Sequence, residues 1–140
     1  MKFTEREMTI AVEAVARQAF EALPGFMRRK VGAASWEELP KMSRYQLLSA
    51  ASTLLLPSLT ALPERPTVGA TPEFTDEEYD AAAESVLRER TDRSDPGTWE
   101  RISPRKRRKQ VEAAVLALRA GVEAMPHRQD PDALIVPDHL

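Results

Sequence analysis

Two stretches of this chain repeat at a fixed spacing, and no other feature limits the fold as strongly. Phe3, Thr4, Glu13, Val15 and Arg17 return as Phe74, Thr75, Glu84, Val86 and Arg88, 71 residues later. Trp36, Glu37, Leu39, Arg44, Leu48, Ala51 and Leu55 return as Trp99, Glu100, Ile102, Arg107, Val111, Ala114 and Leu118, 63 residues later. The difference, 71 less 63, is one insertion of eight residues in the first copy, between its two matching blocks. Such a tandem repeat accounts for most of the sequence as architecture.

The repeated unit is helical. Thr4 and Glu7 make a capping box, the hydroxyl accepting from the Glu7 amide and the carboxylate from the Thr4 amide. Met8, Ala11, Val12, Val15, Ala16, Phe20 and Leu23 then share one face at a 3.6-residue period until Pro24-Gly25 ends the pattern. Thr75 and Glu78 repeat the box, and Tyr79, Ala82, Ala83, Val86 and Leu87 repeat the stripe. Each second helix follows a tryptophan. Ser35-Trp36-Glu37-Glu38 predicts a single turn before Pro40, then a long helix with Leu47, Leu48, Ala51, Leu54, Leu55, Leu59 and Leu62 on its apolar face and a kink or end at Pro57. In the second copy Ser103 caps a helix with Pro104 at its first position, and Val111, Ala114, Val115, Leu118, Val122 and Met125 carry the stripe.

With little strand signal, the expected fold is all-α. It is a tandem duplication of a helical hairpin, about four main helices plus short tryptophan-bearing turns, packed as a bundle. The first helical repeat covers 1–66, a linker 67–73, the second repeat 74–126 and a mobile C-terminal tail 127–140. The apolar face from Leu47 to Leu62 is wider than one facing helix covers, which predicts a homodimer.

Composition narrows the class. In 140 residues, 42% hydrophobic and 30% charged with a net charge of −2, nothing attracts nucleic acid or an acidic membrane globally, so a charge-driven partner needs a local patch. No cysteine is present, which removes disulfides and thiolate chemistry and suits the cytoplasm. No stretch approaches the roughly 20 apolar residues of a membrane span, and Met1 to Arg6 lacks the core of a signal peptide.

The Trp36-Glu37-Glu38-Leu39 segment, leading into a helix that begins near Arg44-Tyr45, resembles small uncharacterised helical proteins met in phages and prophages of high-GC bacteria. Thr98-Trp99-Glu100-Arg101-Ile102 follows the pattern without a tyrosine after Arg107. The resemblance implies a phage or prophage accessory protein and no particular activity.

Catalytic and metal chemistry find no cast. His127 and His139 lie in the tail without ligand spacing, the serines have no partnered histidine, and no glycine-rich phosphate loop exists. Asp76-Glu77-Glu78 reads as a helix start complementing the macrodipole. No cofactor, metal or small-molecule substrate is expected, and the chain reads as non-enzymatic. The charge anomaly is Arg105-Lys106-Arg107-Arg108-Lys109, five cations at a helix start, the end that favours anions. Arg105, Lys106, Arg108 and Lys109, extended by Arg28, Arg29 and Lys30 of the insertion, form a candidate nucleic-acid contact. Counted at 100 degrees per residue, Arg44 and Arg107 fall with the apolar stripes. With Trp36 and Trp99 they are expected structural anchors.

Two functions remain. One is a small interaction protein that self-associates or docks on a host or virion protein, with Leu134, Ile135 and Val136 as a docking tail. The other is a nucleic-acid-binding accessory protein using residues 105–109. Their salt responses differ, since only phosphate contacts weaken steeply as salt rises.

Overall fold

The computed structural model describes residues 1–66 and 68–128. Six helices follow in order: α1 (Glu5–Glu21), α2 (Gly25–Val31), α3 (Lys41–Ala61), α4 (Asp76–Asp92), α5 (Thr98–Arg101) and α6 (Pro104–Ala124). The fold is all-helical. No strand occurs among the described residues, where Val68 and Arg128 form an isolated bridge.

The same capping box starts α1 and α4. Glu7 N donates to Thr4 Oγ1 at 3.1 Å and Thr4 N to Glu7 Oε1 at 2.7 Å. Glu78 N donates to Thr75 Oγ1 at 3.1 Å and Thr75 N to Glu78 Oε1 at 2.8 Å. Both helices are 17 residues long. α3 and α6 are both 21 residues, one starting after Pro40 and the other at Ser103, whose hydroxyl accepts from Lys106 N at 3.3 Å.

Three local expectations are revised. Residues after Pro24-Gly25 do not form a loop: α2 occupies the insertion and carries Arg28, Arg29 and Lys30. Gly32, at φ 149°, ends it, and Val31 and Leu23 pack against the Trp36 cluster. Pro57 does not end α3, which continues to Ala61. It removes one backbone donor from the ladder, while buried Leu55, Ser58 and Leu59 hold the backbone on either side. The two tryptophan segments also differ. Residues 35–39 make only a turn, with Leu39 N donating to Trp36 O at 3.2 Å, whereas Gly97 at φ 87° admits the helical turn α5.

The four long helices pack in a ring, α1 on α3, α3 on α4, α4 on α6 and α6 on α1, and α3 also touches α6 across it. α3 thus faces three helices of its own chain, which is why its apolar face is so wide. Their shared core contains Val12, Leu55, Leu59, Tyr79, Leu118 and Val122, each large aliphatic side chain contributing about 1.5–3 kcal/mol by burial. Two smaller clusters lie at the end where α1 and α4 finish. Trp36 sits with Ala16, Phe20 and Leu39, and Trp99 with Ala83, Val111 and Ala114.

At the opposite end the halves exchange arginines. Arg65 pairs with Glu78, its guanidinium 5.5 Å from the Phe74 ring. Arg128 Nε donates to Glu7 Oε2 at 3.0 Å, its guanidinium 6.0 Å from the Phe3 ring. The two arginines are themselves 63 residues apart in sequence. Burial pushes the Glu7 carboxyl up, but the hydrogen bonds from Arg128 and the Thr4 amide outweigh it and hold it below the usual carboxylate range. The Thr75 amide and Arg65 do the same for Glu78. Among the described residues, no helix is long and apolar enough to cross a membrane.

Candidate interaction surface

The tryptophans and their arginines are built into the packing. Trp36 is 4% exposed and Trp99 0%. Phe20 tilts against Trp36 at 6.1 Å between ring centroids, and the Arg44 guanidinium lies 5.5 Å from the same ring while its Nη2 donates to Trp36 O at 3.0 Å. Arg107 takes the carboxylate option, with Nη1 3.3 Å from Glu100 Oε2. Arg17 reaches Glu37 at 2.5 Å and Arg88 reaches Glu100 at 2.9 Å, so each outgoing helix is tied to the turn that follows it.

The basic run does not act as five equal charges. Arg108 is answered by Asp80 of α4 and by Glu112, both at 3.1 Å, and Arg107 by Glu100. Arg105, Lys106 and Lys109 are exposed, with no carboxylate within 4.0 Å among the described residues. Arg29 and Lys30 are exposed on α2, whereas Arg28 is partly buried and its Nε has no partner. α2 and the start of α6 lie at the same end, where α1 and α4 meet their returning helices. Leu134, Ile135, Val136 and His139 lie outside the described residues.

The surface feature that stands out is a groove between α1 and α3, about 460 Å3 in volume. Met8, Val12, Tyr45, Leu48 and Leu56 make its apolar lining, with Glu5 and Glu13 among its polar positions. Tyr45 is 66% exposed and Met42, one turn earlier on α3, 67%. The corresponding groove between α4 and α6 has the opposite character. At the position matching Tyr45 stands Arg108, at that of Leu56 stands Arg119, and at that of Thr9 stands Asp80. Arg108 spans to Asp80, and Arg119 pairs with Asp76 while lying 4.3 Å from the Tyr79 ring. Ion pairs therefore cross the second groove and leave the first open.

The groove was not among the sites expected from the sequence. Its signal was present in the repeat register: matching positions in the two copies exchange Tyr45 for Arg108 and Leu56 for Arg119, which removes two charges from one copy's surface. No protein-family model matches the chain, and no curated protein or solved structure matches it either.

Proposed function

We propose that this chain is a small non-enzymatic interaction protein of phage or prophage origin. It acts in the cytoplasm by self-association or by docking on a host or virion protein. Its frame is a tandem duplication of a helical hairpin packed as a bundle. Support for the duplication comes from the equal helix lengths, the paired capping boxes and the exchanged arginines Arg65 and Arg128. The phage setting rests on the resemblance of the Trp36-Glu37-Glu38-Leu39 segment, and the cytoplasmic one suits a chain without cysteine.

One observation carries the interaction reading: the α1–α3 groove is apolar and open where its α4–α6 counterpart is bridged by guanidinium groups. An open apolar groove with polar groups at its margin is a surface for another protein. Thr9→Asp with Tyr45→Arg would build the Asp80–Arg108 pair into it. Capture experiments in the native host should yield a partner for the parent that this variant loses, and retention should hold from about 50 to about 500 mM salt, because apolar docking hardly responds to ionic strength. Capture that is indifferent to the variant overturns the reading.

A nucleic-acid-binding role is the second reading, favoured by the exposed, unanswered Arg105, Lys106 and Lys109 at the same end as Arg29 and Lys30. It requires retardation of duplex DNA at low salt that falls steeply with salt and disappears when Arg105, Lys106 and Lys109 become Gln.

A further inference from the structure

We infer that the occupant of the α1–α3 groove is α2 of a second copy of this chain, the two copies exchanging α2 segments to close a symmetric dimer. The inference rests on the interaction reading and names its partner. Two features separate the first half of the chain from the second: the open groove, and the helix α2 in the eight-residue insertion. They are complementary. The groove offers apolar surface around Tyr45 and Leu56 with two carboxylates, Glu5 and Glu13, that meet no cation within 4.0 Å among the described residues. α2 offers Phe26, 63% exposed, and Met27 beside the exposed cations Arg29 and Lys30. In the second half the same groove positions are served from within, by Arg108 and Arg119 on α4 carboxylates. A segment that brings apolar side chains and cations together therefore supplies what the first groove lacks, and α2 is such a segment.

Size is consistent with this. Helices α1 and α3 side by side make a face about 30 Å long and about 20 Å wide, near the roughly 800 Å2 per partner of a stable interface once corrugation is included. Reciprocal exchange buries both grooves and closes the assembly, whereas a one-way contact would leave one groove open and continue into a chain of subunits.

Light scattering on the full chain at about 50 µM should give twice 15.7 kDa. Glu5→Lys with Glu13→Lys, and separately Arg29→Glu with Lys30→Glu, should each weaken the dimer at least tenfold while the melting curve stays that of the parent, since all four residues are exposed. The quadruple variant, with the charges exchanged, should restore it. A dimer that both charge variants leave intact, or that the quadruple variant fails to recover, lies on another face and overturns the inference. Loss of the dimer only on ending the chain after Arg128 would make residues 129–140 the occupant instead. A parent that stays monomeric also overturns it, while the wider interaction reading is then decided by the capture experiment with Thr9→Asp and Tyr45→Arg.

Discussion

Truncating Trp99 to alanine isolates what one anchor contributes. Its side chain is fully buried among Ala83, Val111 and Ala114, with Leu87 and Ile102 at the margin. An indole buries about 200–250 Å2, and leaving only a methyl returns about 150–200 Å2 of that contact surface. At about 25 cal/mol per Å2 this is about 4–5 kcal/mol. An opposing effect applies at this site. The indole N–H is buried without a partner, and removing an unsatisfied donor recovers about 1–3 kcal/mol. The net loss for Trp99→Ala is then about 3 kcal/mol, at the low end of aromatic truncations. Trp99→Phe keeps most of the apolar surface and deletes the unpartnered donor, so it should fall within about 1 kcal/mol of the parent. The assay is thermal melting followed by far-UV circular dichroism, where about 3 kcal/mol corresponds to a drop of about 10 °C in a domain this size. An alanine variant that melts within about 3 °C of the parent refutes the burial argument. A phenylalanine variant as damaged as the alanine one refutes the account of the donor.

Three other outcomes follow from local geometry. Because folding lowers the Glu7 and Glu78 carboxyls below their ordinary value of 4.5, the stability they add is full above that pH and lost as the pH falls through their folded values; the melting temperature should stay level down to about pH 5 and then decline, and less so in the Glu7→Gln, Glu78→Gln variant. Thr4→Ala and Thr75→Ala each remove one capping hydroxyl and should cost about 1 kcal/mol, similarly for both helices, as read from chemical denaturation. Gly32→Ala puts a Cβ 2.9 Å from Pro40 Cδ on a backbone at φ +149°; a loss above about 1 kcal/mol should appear as a lower urea midpoint at unchanged slope, and an unchanged midpoint would count against the strain.

What was readable from the residues alone follows from how local each event is. A capping box involves two residues three apart, so Thr4 with Glu7 and Thr75 with Glu78 announced α1 and α4 without knowledge of the fold. The stripes of α1 and α6 gave their buried faces for the same reason. α2 was missed because its seven residues have no side-chain cap and a helix that short does not stand by itself; it exists because Val31 and Leu23 dock on the Trp36 cluster. Pro57 was overweighted as a stop, since the packing of Leu55 and Leu59 outweighs one lost hydrogen bond.

The functional surface divides in the same way. Sequence by itself determined that residues 105–109 are cationic and that the two halves match. Only the tertiary structure decided which of those cations are spent, because the carboxylates that answer Arg107 and Arg108 come partly from α4 and α5, distant in the chain. Tyr45 reads from its residue type as core, yet it is exposed, while Trp36, nine positions before it, is buried. Period and residue type give the direction of a side chain along its own helix. What that side chain meets depends on the neighbouring helix, and here the neighbour of α6 presents Asp76 and Asp80 to two arginines, whereas the neighbour of α3 leaves its groove open.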